Sequence, residues 1–366
     1  MLKGYAITEK KLSLQSLKRK NCPYRSSKMV NENIKVSVCI PVFGVEKYIE
    51  RCARSLFEQT MQEGIEFIFV NDCTPDRSIE ILRQVLEEYP HRIELVKILH
   101  HDQNRGLVAA RKTALAAACG DYIIHCDSDD WVDKDFYEKM YLKAVEEEAD
   151  VVYCNFREFF ANGHTSFTKI STFKSCELFL KDLLQGKMHC ALWNKLFKRD
   201  IALDPTMQTP DDICLSEDYL RTAQMLLRCK HITQCNDTCY NYRRDRISSY
   251  TDPKSYKIEY FNGCCSLVGI LENCLPEHLQ NDLLYFKAST LFKAVKHALL
   301  PAGKFHDLWL KDHKKMLGCK SVPVAKRIIL GGAFLSYYCM SRLCLLALHF
   351  QYILNKYKRE RENNEI

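Results

Sequence analysis

Between Lys35 and Cys126 two spacings of apolar residues take turns. Lys35-Val-Ser-Val-Cys-Ile-Pro41 alternates until proline stops it, which predicts a strand. Tyr48, Ile49, Cys52, Ala53, Leu56 and Phe57 then recur at helical spacing. Glu66-Phe-Ile-Phe-Val70 is a continuous apolar run that reads as a second, buried strand and ends at Asn71-Asp72. Ile79, Leu82, Val85, Leu86 and Tyr89 mark the next helix, Ile93 to Leu99 a third strand, Leu107 to Ala118 a third helix, and Tyr122 to Cys126 a fourth strand. Strand and helix in regular alternation predict an α/β fold: an open, mostly parallel sheet with helices on its faces.

Further along, Lys134 to Glu147 reads as a helix and Val151 to Phe156 as a strand. After Lys254 strand patterns stop, and Ile258 to Leu275 and Asp282 to Leu299 have helical periodicity. Ile328 to Ser341 runs without charge, meets Arg342, and resumes as Leu343 to Asn355. Neither half reaches the ~18 residues of a spanning helix. With Lys326-Arg327 on one side and Lys356, Lys358, Arg359 and Arg361 on the other, a helix lying in a membrane interface is expected. A packing or dimer helix, or a span around Arg342, are the competing readings. The chain thus divides into a basic, mobile leader (1–34), a first α/β half (35–135), a second half (136–250) and a helical C-terminal region (251–366).

At 366 residues, 47% hydrophobic and 27% charged, the composition is that of a folded soluble enzyme. The net charge of +7 is unevenly spread: residues 1–34 carry +6, residues 301–366 carry +7, and the middle is acidic at −6. A nucleic-acid binder would concentrate positive charge on its folded domain, so that class is excluded and basic ends suit an anionic membrane surface. The 19 cysteines are odd in number and scattered through apolar segments. They read as reduced, buried thiols of a cytoplasmic protein, at the inner face of the cell membrane if the C-terminal helix lies there.

Candidate chemistry gathers at two strand ends. Asp72 follows the second strand, and Asp127, Asp129 and Asp130 follow the fourth, with Pro41-Val42-Phe43 closing the first. In an open α/β sheet ligands sit outside the carboxyl ends of strands. Crowded carboxylates repel one another and need a cation, and all-oxygen ligands select Mg²⁺ or Mn²⁺, ions that arrive with phosphates. A Gly-x-Gly-x-x-Gly dinucleotide fingerprint and a Gly-Lys-Ser/Thr phosphate loop are both missing from the sequence.

Four stretches in order, Val36-Ser-Val-Cys-Ile-Pro-Val-Phe-Gly, Phe69-Val-Asn-Asp-Cys-Thr-Pro-Asp, Asn104-Arg-Gly-Leu-Val-Ala-Ala-Arg and Asp127-Ser-Asp-Asp-Trp-Val, resemble the family 2 glycosyltransferases of the GT-A fold. The resemblance covers residues 35 to 250. It implies inverting transfer of a sugar from a nucleotide diphosphate donor, a UDP-sugar, to a hydroxyl of a glycan or lipid-linked glycan. On that likeness Pro41, Val42 and Phe43 border the nucleobase, Asp72 holds base or ribose, Arg105, Asp127 and Ser128 lie along the nucleotide, and Asp129 binds a Mn²⁺ or Mg²⁺ that bridges the diphosphate. Gly44 and Cys73 depart from the family's usual Asn and Gly, and Lys112 stands where Asn is frequent.

Cys190-Ala-Leu-Trp-Asn-Lys-Leu-Phe resembles a Trp-Asn-Lys-Leu segment of many bacterial members. Trp193 walls a sugar pocket and Lys195 approaches phosphate on one reading; on the other the tryptophan is core and the basic residues a solvated face. In Leu215-Ser-Glu-Asp-Tyr, Ser216 suits a helix start with Glu217 and Asp218 in its first turn. The likeness places the catalytic base at this pair, as Asp218. Arg243 in Tyr240-Asn-Tyr-Arg-Arg-Asp-Arg246 is a diphosphate contact on the likeness and a solvated turn otherwise. A non-catalytic nucleotide-sugar-binding or partner-binding protein of the same fold is the alternative function, and the set Asp72, Asp127, Asp129 and Asp218 argues against it.

Overall fold

The computed structural model describes residues 34–210, 213, 216–245, 258–296, 315–320 and 322–328. The expected leader, the apolar segment after Ile328 and Arg246 therefore lie outside the described residues.

The predicted alternation is observed. Strand β1 (Val36–Val42), helix α1 (Ile49–Phe57), β2 (Ile65–Asn71), α2 (Ser78–Glu87), β3 (Val96–His100), α3 (Leu107–Ala117) and β4 (Tyr122–His125) follow in order. Then come β5 (Trp131–Val132), α4 (Phe136–Glu146), β6 (Val151–Phe159), β7 (Thr165–Thr168), α5 (Cys176–Leu184), β8 (Lys195–Lys198), α6 (Arg199–Ala202), α7 (Glu217–Leu226) and β9 (Ile232–Arg243). Helices α8 (Ile258–Cys274) and α9 (Gln280–Lys296) complete the series. The described strands form one sheet in the order β3-β2-β1-β4-β8-β6-β9-β5, with β7 paired to β6. Strands β1 to β4 are mutually parallel, and β8 runs antiparallel between β4 and β6.

Strand β1 lies between β2 and β4, so successive crossovers leave it in opposite directions and a crevice opens at its carboxyl end. Both halves inferred from the sequence share this sheet and a single core. Val36, Val38, Ile40, Phe67, Phe69 and Ile124 are fully buried, as are Val152, Phe179 and Leu196 beyond them. Leu267, Leu271 and Leu283 of α8 and α9 extend the same core, and Tyr219 of α7 stacks on Phe286 of α9 at 4.4 Å.

The third strand starts later than its apolar run. Pro90–Leu95 is a 3-10 turn, and Arg92, wholly buried within it, donates to the carbonyls of Phe57, Gln59, Met61 and Gln62. That clamp holds the chain in a turn until Val96. Strands β5, β8 and β9 carry too short or too polar a pattern to be read from periodicity. Gln234 and Asn241 of β9 are buried because neighbours satisfy them: Gln234 donates to Asn155 and to the Ile170 carbonyl, and Asn241 donates to Asp133. Arg243, expected on a loop, is the last residue of this strand.

A buried polar knot fixes the parallel strands in register. Glu66, fully buried on β2, accepts from Ser37 Oγ at 2.6 Å, from the Cys119 N–H at 2.7 Å and from Lys97 Nζ at 2.7 Å. The loop entering β4 passes so close to β1 that a Cβ on Gly120 would sit 2.7 Å from Ser37 N and 2.8 Å from Val36 C. Backbone atoms cannot swing away as a side chain would. Gly120→Ala is therefore expected to lower stability by about 1–3 kcal/mol, as overpacking does, read as a lower urea midpoint at unchanged m.

Candidate active site

The crevice is a cleft of about 300 Å³. Its floor is made by strand ends: Pro41 and Val42 at the end of β1 with Phe43 after it, Asp72 after β2, and Asp127, Ser128 and Asp129 after β4. Its far wall is Glu217 and Asp218 at the start of α7, with Trp193, Tyr242, Arg243 and Arg244.

Asp72 organises the near wall. Its Oδ1 accepts from His101 Nδ1 at 2.7 Å and the Arg105 N–H at 2.8 Å, and its Oδ2 accepts the Gly106 N–H at 2.8 Å. A carboxylate thus closes the entry to α3, where backbone donors are otherwise unpaired. Cys73, next in the chain, has φ +56°, which explains the glycine usual in the resembling family: this position is left-handed.

The centre of the site is Arg111. It lies on the buried face of α3, 5% exposed, and its guanidinium forks to both walls. Nη2 donates to Asp127 at 2.8 Å, while Nη1 donates to both Glu217 and Asp218. Burial pushes the Asp218 carboxyl up to about 7, with Glu217 adding to the rise and Arg111 opposing it. Burial likewise raises Asp127 to about 6, against the pull of Arg111 and with repulsion from Asp129 and Asp218.

The acidic turn after β4 is held from outside the cleft. Asp130, 1% exposed, accepts from Tyr240 Oη at 2.8 Å and the Arg243 N–H at 2.7 Å, and the Asp127 N–H donates to the same tyrosine oxygen at 3.0 Å. Burial, then repulsion by Asp129 and Asp127, raises the Asp130 carboxyl well above its ordinary range. Trp193 stacks on Tyr240 at 4.3 Å and 15°, bracing the arrangement.

With this geometry in hand, comparison with known proteins is decisive. Residues 37–204 match the family described as Glycosyl transferase family 2. The putative glycosyltransferase EpsH of Bacillus subtilis (strain 168) is 38% identical over 170 residues, 45% of this chain and 47% of that protein. Glycosyltransferase GlyA of Streptococcus pneumoniae serotype 4 is 32% identical over 223 residues, 57% of this chain and 30% of that protein. The chain thus spans about half or less of the length of these relatives. Among solved structures, S. aureus TarS 1–349 in complex with UDP superposes with a TM-score of 0.63 at 19% identity, covering 87% of this chain and 92% of that one. The fold is therefore GT-A.

The fold brings together Pro41, Val42, Phe43, Asp72, Asp127, Ser128, Asp129, Trp193, Glu217, Asp218 and Arg243 around one cleft. Three of these differ in detail from the sequence expectation. Ser128 is buried and donates its hydroxyl to the Pro41 carbonyl at 2.7 Å, tying two strand ends together. Arg243 donates Nε to the Asp129 carbonyl at 2.9 Å and its guanidinium lies over Tyr48 and Trp131, so it braces the acidic turn. Trp193 is 2% exposed, both core and cleft wall. Two expected residues lie elsewhere. The Arg105 side chain is exposed and does not line the cleft, where only its backbone N–H serves, on Asp72. Lys195 is 1% exposed and does not line the cleft; its ammonium donates to nearby carbonyls. Arg111 and His189 were missed as site residues. For Arg111 a signal existed: an arginine on the apolar stripe of Leu107, Val108, Ala114 and Leu115.

Among the described residues no group of three His, Cys, Asp or Glu side chains is placed to hold a metal ion unaided. The donor set still fits a hard divalent ion completed by phosphate oxygens: Asp129 lines the cleft, and its neighbours Asp127 and Asp130 are raised partly by mutual repulsion that a cation would relieve.

Arg111→Met removes the single charge facing three acids. Leaving buried charge unpaired costs about 3–5 kcal/mol, so a fall of that size in chemical denaturation at pH 8 is expected, shrinking at pH 5 where Asp127 and Asp218 are protonated. A loss independent of pH would assign Arg111 a packing role instead.

Proposed function

We propose that this chain is an inverting glycosyltransferase that moves a sugar from a UDP-sugar to a hydroxyl of a glycan or lipid-linked glycan. The observation that carries the reading is the pairing, across one cleft, of the strand-end acids with Asp218. One wall suits a nucleotide diphosphate and the other suits a proton acceptor. The uridine nucleotide follows the fold neighbour, which is seen with UDP.

In this reading Pro41, Val42 and Phe43 flank the base, and Asp72 fixes the loop that covers the ribose side. Asp129 would hold a Mn²⁺ or Mg²⁺, its backbone set by Arg243. The bound ion would supply Lewis-acid stabilisation of the leaving diphosphate. Arg244, exposed in the cleft, pairs loosely with Glu158 at 3.7 Å and lies over Tyr242, from where its guanidinium can turn to the diphosphate. Asp218 accepts the proton of the acceptor hydroxyl while that oxygen bonds to the anomeric carbon and the bond from this carbon to the diphosphate oxygen breaks. Attack from the face opposite the leaving group inverts the centre. Burial brings Asp218 near neutrality, where a base is most effective, and Arg111 keeps it from rising further.

Two outcomes follow. Transfer from a UDP-sugar in the presence of Mn²⁺ should rise with pH through about 7 as Asp218 loses its proton, and level off above it. Asp218→Asn should lower kcat by at least ~10²-fold with UDP affinity near wild type; normal turnover would move the base to Glu217 or elsewhere. Separately, calorimetry should show tight UDP binding with Mn²⁺ and loss of that metal-dependent part in Asp129→Asn. Equal UDP binding in excess chelator would overturn the metal assignment.

A further inference from the structure

The turn between α5 and β8 is fastened from three directions. Lys195 donates to the carbonyls of His189 and Ala191, at 3.0 and 2.7 Å, and to Asn194 Oδ1 at 2.9 Å, which uses all three of its hydrogens. Asn194 in turn donates to the Cys154 carbonyl on β6 at 3.1 Å. From α7, the Thr222 hydroxyl donates to the Cys190 carbonyl at 2.8 Å. Thr222 follows Asp218 by four residues, so both lie on one face of the helix, and the turn is held about one helical turn from the base.

What this fastening positions is His189. Its ring packs against Phe156 and Trp193, each with centroids 5.4 Å away, and lines the cleft with Tyr242 and Asp218. The Ala191 N–H donates to Nδ1 at 3.2 Å. A ring nitrogen that accepts carries no hydrogen, so the neutral ring bears its proton on Nε2. Nε2 has no hydrogen bond among the described residues. The residue is exposed at the cleft. Desolvation of the packed ring, then the charges of Lys195 and Arg244, hold the imidazole below its usual range, and with Nδ1 occupied by the Ala191 N–H the ring is uncharged at neutral pH. An uncharged, oriented N–H beside aromatic faces is a poor phosphate site. It suits a sugar, whose hydroxyl oxygen accepts the bond while ring C–H groups meet the aromatics.

Resting on the function proposed above, we propose that His189 is a specificity-determining residue that donates its Nε2–H to a sugar hydroxyl beside the reacting centre. That hydroxyl belongs either to the transferred sugar or to the acceptor sugar, and the experiment separates the two.

UDP, UDP-GlcNAc and UDP-glucose are titrated with Mn²⁺ into the full chain, its His189→Ala variant and its His189→Gln variant, whose amide keeps an N–H. Hydrolysis and transfer to methyl β-glucoside are then followed. UDP alone should bind all three proteins equally. If the transferred sugar is the partner, UDP-sugar binding weakens about 3–10-fold in His189→Ala, the worth of one neutral hydrogen bond, and His189→Gln recovers most of it. If the acceptor is the partner, UDP-sugar binding and hydrolysis stay unchanged while KM for the glucoside rises by the same factor, again recovered by Gln. The inference is overturned if no sugar-dependent quantity changes, or if UDP affinity falls alongside them without rescue by Gln, as a packing role would produce. Nitrogen-15 NMR of the His189 ring supplies an arm independent of any substrate: a neutral ring protonated at Nε2 at pH 7 is expected, and protonation at Nδ1 would overturn the inference even if donors bind. A wild-type chain that binds no nucleotide but shows the Nε2–H tautomer would instead sink the function proposal, and this assignment with it.

Discussion

A guanidinium with almost no access to water holds the two walls of this cleft together. Arg111 reaches Asp127 just after β4 and the Glu217–Asp218 pair at the start of α7, the latter more than a hundred positions further along the chain than Arg111 itself. Three acids beside one cation leave an excess of buried negative charge. Such a centre is stable only where further positive charge or protons enter, and Asp127 and Asp218 are accordingly raised toward neutrality. A divalent ion carried in with a diphosphate would meet the same need. The local strain of charge is thus also what makes the site receptive to that ligand class.

Around this centre many polar groups that might have touched a ligand touch the protein instead. Ser128 ties two strand ends, Arg243 holds the carbonyl of Asp129, Asp130 is shared by Tyr240 and the backbone of Arg243, and Asp72 closes the start of α3. Each fixes the direction of a neighbour that does face the cleft. Fixed dipoles and carboxylates of this kind act without reorganising during a reaction, which is where electrostatic catalysis gains most. The same logic extends to Lys195, whose buried ammonium orders the turn presenting His189 rather than meeting a substrate.

From the sequence alone, the parallel half of the sheet was legible because each of its strands is apolar and each intervening helix amphipathic. Burial on both faces writes itself as hydrophobic runs, and strand ends in such a sheet mark the ligand site. That suffices to place Asp72, Asp127 and Asp129 together. The order of the four family-like stretches carried the fold class further, and the glycine-to-cysteine departure at Cys73 was visible before its left-handed backbone gave the reason.

The remainder was decided by tertiary structure, for a physical reason common to each case. Gln234 and Asn241 make strand β9 polar in sequence yet are buried in fact, because Asn155, Ile170 and Asp133 satisfy their amides from other elements. Arg92 interrupts an apolar run by reaching carbonyls some thirty residues away. Arg105 and Arg111 stand in one short motif, yet one points to solvent and the other joins three acids. The residues by themselves state which charges exist. Which of them lose their water, and which partner each then finds, is determined only when β1, β4, α3 and α7 meet.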